Sequence, residues 1–182
     1  MLKRAMWWAA AVLTGAGPAA GQICRPSWAT EFAPGDPTGV IYAQAIFDDG
    51  TGPKLYAGGA GNVWRWDGTS WVSVGTVAGG STTAPAVYAM TVWDEDGAGP
   101  NPPRLFVGGD FGGVGGAPSQ NIARYDGTSW SALGLGVTLS PSQFNLPMVR
   151  SLAAFNDGTG PALYVGGGFN RAGGSITANR IA

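Results

Sequence analysis

In this 182-residue sequence the side chains able to do chemistry fall at a few recurring places. Carboxylates gather at Asp48-Asp49, at Asp94-Glu95-Asp96 and at Asp157. Hydrolysis of a glycosidic bond needs two such groups in opposed positions. All of these sit in equivalent glycine-containing turns, and a carboxylate present in every copy of a turn is expected to shape it rather than to form one unique active site. Asp94-Glu95-Asp96-Gly97 with Asn101 also offers hard oxygen ligands of the kind calcium takes. That loop lacks the distal Glu of an EF-hand, and Pro100, Pro102 and Pro103 stiffen it. Arg65 and Asp67 lie two residues apart, as do Arg124 and Asp126, so on a strand each pair shares one face. This predicts a repeated surface or inter-repeat ion pair, with a ligand-binding ring of arginines as the functional alternative. Trp66 with Trp71, and Tyr125 with Trp130, are spaced to pair across a hairpin; such rings also stack sugars. There is no histidine. Ser-His-Asp and Cys-His nucleophile systems and most catalytic zinc sites are thereby removed. No catalytic, cofactor-binding or metal-ligating residue is assigned.

The elements that must position these groups come from an internal repeat. Phe47-Asp48-Asp49-Gly50-Thr51-Gly52-Pro53 followed by Leu55-Tyr56-Ala57-Gly58-Gly59 returns as Phe155-Asn156-Asp157-Gly158-Thr159-Gly160-Pro161 followed by Leu163-Tyr164-Val165-Gly166-Gly167. A looser copy runs from Trp93 to Gly97 and then from Leu105 to Gly108-Gly109. Downstream, Trp66-Asp67-Gly68-Thr69-Ser70-Trp71 returns as Tyr125-Asp126-Gly127-Thr128-Ser129-Trp130. Between glycine pair and aromatic block the first repeat is nine residues shorter than the second; the extra piece, Phe111 to Asn121, returns in the third as Phe169 to Asn179.

Each repeat predicts four antiparallel strands. The first, Val40–Phe47, Ala86–Trp93 or Val149–Phe155, carries apolar or small residues on both alternating faces, which predicts cover on both sides. It ends in a glycine turn suited to a hairpin. The second closes on the glycine pair, where a missing side chain suits close approach of another backbone or a bend. The third and fourth flank Asp-Gly-Thr-Ser: Val63–Trp66 with Trp71–Val74, and Ile122–Tyr125 with Trp130–Leu133. One such unit has too little core to stand alone, and stacked neighbours would bury a shared one. The fold class is all-β, with repeats at 40–75, 86–136 and, in part, 149–182.

Residues 1–21 read as a secretory signal peptide: Lys3 and Arg4, an apolar run broken by Gly15, Gly17 and Pro18, then small residues to Gly21. The run is too short for a membrane span. Residues 22–39 form an N-terminal extension. Cleavage leaves eight cations against eleven carboxylates, a net charge of −3. The cations are scattered, so no nucleic-acid partner is expected. Cys24, alone, forms no internal disulfide; Ile23 before it argues against lipidation.

A strand ending in Gly-Gly, an aromatic-Asp, then a Trp five residues on resembles the kelch repeat family of β-propellers. Gly58, Gly59, Trp66, Asp67 and Trp71 carry the likeness in the first repeat, Gly108, Gly109, Tyr125, Asp126 and Trp130 in the second, and Gly166 and Gly167 in the third. It covers about residues 40–182 and also extends to repeats of fungal cortical polarity-marker proteins and of large exported bacterial proteins. The resemblance implies an incomplete propeller, since closed rings have about four to eight four-stranded units. The sequence is therefore expected to be an N-terminal fragment, with ring closure by several chains as the alternative. Oxidases resembling this family use histidines at copper, and no position here supplies them. The expected function is a secreted, periplasmic or cell-surface binding or scaffold module for an unidentified protein or glycan, without cofactor. The alternatives are a carbohydrate-active or oxidative enzyme with catalytic residues beyond residue 182, and a calcium-dependent adhesion module.

Overall fold

The computed structural model describes residues 37–97, 99–140 and 146–182. The signal-peptide reading, Cys24 and most of the 22–39 extension lie outside them. The described chain is all-β and contains no helix.

The first repeat is β1 (Ile41–Asp48), β2 (Pro53–Gly59), β3 (Asn62–Trp66) and β4 (Trp71–Ala78), paired antiparallel in sequence order. The second is β5 (Ala86–Trp93) and β6 (Arg104–Asp110), then a short hairpin of β7 (Gly113–Val114) and β8 (Ala117–Pro118), then β9 (Ile122–Tyr125), β10 (Trp130–Ala132) and β11 (Val137–Thr138). The third supplies β12 (Val149–Asn156) and β13 (Pro161–Gly167), with a hairpin of β14 (Arg171–Ala172) and β15 (Ile176–Thr177). Registers repeat residue for residue. Ile41 pairs with Gly59, Val87 with Gly109 and Val149 with Gly167; Trp66 faces Trp71 as Tyr125 faces Trp130.

Side chains alternate across each strand, so each sheet has two faces to bury. Leu105, Val107, Ala123 and Tyr125 pack with Phe47, Tyr56 and Val63 of the first repeat. Ile122, on the other face, packs with Val149, Val165 and Phe169 of the third. Both cores therefore lie between successive repeats and none lies inside one, as repeat architectures require. The first glycine of the first two pairs permits this approach. A Cβ on Gly58 would stand 2.7 Å from Val87 Cγ1, and one on Gly108 would stand 2.8 Å from Val149 Cβ.

Two expectations need correction. The first strands are not uniformly enclosed. β1 leaves Tyr42 and Ile46 exposed, β12 leaves Phe155 exposed, and only β5 is covered along most of its length. The cause is position: β5 lies between β1 and β12, whereas β1 and β12 each have another first strand on one side only among the described residues. The extra segment also ends one residue later in the third repeat. Arg180, not Asn179, occupies the place of Asn121: both have positive φ, and each donates its amide to the preceding phenylalanine carbonyl, Phe169 or Phe111. Ile181-Ala182 thus align with Ile122-Ala123. The additional residue sits in the hairpin turn, Gly173-Gly174-Ser175 where the second repeat has Gly115-Gly116.

That hairpin does not extend its own sheet. β7 pairs with the end of β4 in the repeat before it, Val77 opposite Val114, and β14 pairs with β11, Val137 opposite Ala172. The flanking bonds match: Gly115 N to Thr76 O and Gly112 N to Ala78 O at one junction, Gly173 N to Gly136 O and Asn170 N to Thr138 O at the other, each 2.9 to 3.1 Å. Beyond each latch a side chain fixes the connecting segment. Buried Asp110 accepts from the Ser81 and Thr82 amides, at 2.6 and 3.0 Å, and Asn170 accepts from the Ser140 amide at 2.8 Å.

Candidate functional site

In all three repeats the first strand carries a β-bulge at one register, between Ile41 and Ala43, Val87 and Ala89, and Val149 and Ser151. A bulge leaves its extra residue unpaired and re-aims the side chain. Those residues are Tyr42, Tyr88 and Arg150. The carbonyl ahead of each bulge, that of Val40, Ala86 or Met148, occupies the space that a Cβ on Gly59, Gly109 or Gly167 would need. The second glycine of the pair thus makes room for the bulge, and the bulge aims the side chain.

Because the first strands lie side by side, the three aimed residues form a row. Tyr42 and Tyr88 meet edge to face, centroids 5.1 Å apart at 62°. The Arg150 guanidinium lies 4.5 Å from the Tyr88 centroid, a cation–π contact. Tyr42 is 51% exposed, Tyr88 half-buried and Arg150 exposed. Arg150 has no carboxylate partner among the described residues. No family model, curated protein or solved structure matches the chain. The site is therefore read from its own geometry.

The carboxylates singled out in the sequence are all engaged. Asp48 accepts from the Gly50 and Gly52 amides, both at 2.9 Å. Asp49, Glu95 and Asp157 occupy one place in successive repeats. Asp49 pairs with Lys54 at 2.9 Å and Arg65 at 2.8 Å and accepts from Tyr56. Burial alone would raise its pKa, but bonds from Thr51, Lys54 and Arg65 outweigh that and hold it well below the usual carboxylate range. Burial, then the Asp49 charge, pushes the Tyr56 phenol up. Glu95 bridges Arg104, at 2.5 Å, and Arg124. Asp157 accepts from Thr159 and Tyr164, and the Thr159 hydroxyl leads in lowering its pKa. Asp94 accepts from the Asp96 amide, and Asp96 from Asn101. Among the described residues no group of three or more His, Cys, Asp or Glu is placed to hold a metal ion.

The paired Arg and Asp of the third strand do not meet as expected. Arg65 and Arg124 reach across the sheet to Asp49 and Glu95, while Asp67 and Asp126 bind the amides of their own turns, Thr69 with Ser70 and Thr128 with Ser129. Two residues after it, the Asp finds unpaired turn amides, a nearer partner than a guanidinium already committed to the carboxylate in the turn after the first strand. The aromatic blocks do pair, Trp66 with Trp71 at 5.5 Å and Tyr125 with Trp130 at 4.8 Å. Trp130 also donates Nε1 to the Val74 carbonyl at 2.7 Å, tying the second repeat to the first. Tyr125 and Trp130 thus serve inter-repeat packing.

A cavity of about 400 Å³ opens between the turn ends of the first two repeats, walled by Phe47, Val92, Pro102 and Pro103, with Asp48 and Asp126 at its rim. Both rim carboxylates are held by their own turns. No helix among the described residues is long and apolar enough to cross a membrane.

Tyr42, Tyr88 and Arg150 were not singled out in the sequence. Their signal is a column: each stands five residues before Phe47, Trp93 or Phe155.

Proposed function

We propose that the chain is a non-catalytic, exported binding or scaffold module of kelch-type propeller repeats. The observation that carries this reading is the row Tyr42–Tyr88–Arg150, one side chain per repeat at the same bulge, with Tyr42 and Arg150 exposed. Ligand contact built from equivalent positions of stacked repeats is how such architectures make extended binding surfaces. The engagement of every described carboxylate in a turn or ion pair supports binding over hydrolysis. The radial, propeller-like arrangement is supported by first strands that lie together and by Gly-Gly pairs that admit the next repeat. Exported residence rests on the sequence of residues 1–21.

The test compares saturable binding with turnover on a panel of oligosaccharides and peptides. Tyr42→Ala with Tyr88→Ala is expected to abolish binding while the circular dichroism spectrum is retained. Turnover that vanishes when one carboxylate is neutralised would refute the reading.

A further inference from the structure

We propose that the Tyr42–Tyr88–Arg150 row is a site for an acidic saccharide, a chain of sugars bearing carboxylates of the uronic-acid kind. The proposal rests on the binding-module reading and names the ligand class of that surface.

Three features of the row select this chemistry. First, the row is open. Tyr42 is half exposed, so its ring offers a flat apolar face with a phenol at its rim, which suits the apolar face of a sugar and its hydroxyls together. Second, the cation is organised and unspent. Arg65, Arg104 and Arg124 are committed to Asp49 or Glu95, whereas Arg150 rests on the Tyr88 ring and meets no described carboxylate. The planar guanidinium fork matches a carboxylate bidentately. Third, the contacts recur along a line, ring to ring at 5.1 Å and guanidinium to ring at 4.5 Å. A polymer of like units meets such a line better than a compact molecule does. An acidic peptide would also satisfy the arginine, since β1, β5 and β12 each end their sheet with one edge unpaired among the described residues; the open, flat Tyr42 ring with its phenol favours the sugar.

Isothermal titration of the whole chain with an oligogalacturonate and with a neutral galactan fragment of equal length tests this. The acidic oligomer is expected to bind about ten-fold or more tightly, the range that charge-assisted hydrogen bonds give. Arg150→Gln should abolish that preference and leave the neutral oligomer unaffected. Arg171→Gln, an exposed cation on the β14 hairpin, should change neither and controls for bulk charge. Tyr42→Ala should weaken both oligomers. Equal affinity for the two oligomers, unaltered by Arg150→Gln, overturns the acidic-saccharide assignment while the Tyr42 result still judges the row as a contact surface. Tighter binding of a Glu-rich peptide than of the oligogalacturonate, lost in Arg150→Gln, overturns the saccharide and keeps the row. No effect of Tyr42→Ala on any bound ligand overturns both.

Discussion

Replacing Gly108 by alanine tests the stacking of repeats on one another. Its backbone has no positive φ, so the change brings no conformational strain, and any penalty comes from the Cβ. That atom would lie 2.8 Å from Val149 Cβ, nearer still to Val149 Cγ1, and 3.5 Å from Leu152 Cδ1. Val149 is fully buried and β-branched, so it has little freedom to turn aside. Overpacking of this kind costs about 1–3 kcal/mol. Stiffening of the unfolded chain returns roughly 0.4–1 kcal/mol. The net expectation is a loss of about 1–2 kcal/mol in urea unfolding, or roughly 2–8 °C in Tm for a chain of this size. Val149→Ala alone should cost about 2 kcal/mol through its cavity. The double variant should then be more stable than the sum of the two by about 1 kcal/mol, because the nearest collision, with Val149 Cγ1, is gone. Additive losses, or a Gly108→Ala protein as stable as the parent, would refute the packing of the second repeat on the third through this glycine.

Gly58→Ala is expected to cost less than Gly108→Ala in the same assay, since one of its two close neighbours is the movable Met90 sulfur at 2.9 Å. Asp49→Asn should cost about 3 kcal/mol by leaving Lys54 and Arg65 without their shared partner. The parent's Asp49 pKa is depressed on folding, so its contribution is complete above the unfolded value near ~4 and fades as pH falls through the folded one; urea midpoints across an acid series should be flatter for Asp49→Asn. Trp130→Phe removes the donor to the Val74 carbonyl and should lower stability by about 1–2 kcal/mol in guanidinium melts. At Asn121, with φ of 64°, alanine should be worse than glycine, because glycine keeps the left-handed backbone and loses only the bonds to Phe111 N and Val137 O.

Strand order within a repeat was legible in the sequence because it is local. The turn glycines and the facing aromatic pairs each act within a few residues of their cause. The glycine pair announced a close approach, and the structure supplies two different ones, a side chain of the next repeat for Gly58 and a bulge carbonyl for Gly59. What the sequence concealed was non-local. The segment from Phe111 reads as a loop of the second repeat, yet its strand β7 belongs by hydrogen bonding to the first. Apolar residues on both faces of Val40–Phe47 describe a position between two neighbours, and the described chain provides that only for β5. The candidate site was hidden for a similar reason. Tyr42 and Tyr88 look like core residues, and the one-residue bulge that they share with Arg150 is signalled by no local propensity.

The latch hairpins also set an order of events for the growing chain. The end of β4 keeps an open edge until residues 113–118 have been made, and the edge of β11 waits in turn for residues 171–177. Unpaired edges invite pairing with other chains. Each unit thus relies on the one synthesised after it for protection, so the vulnerable end of a nascent chain moves forward with synthesis.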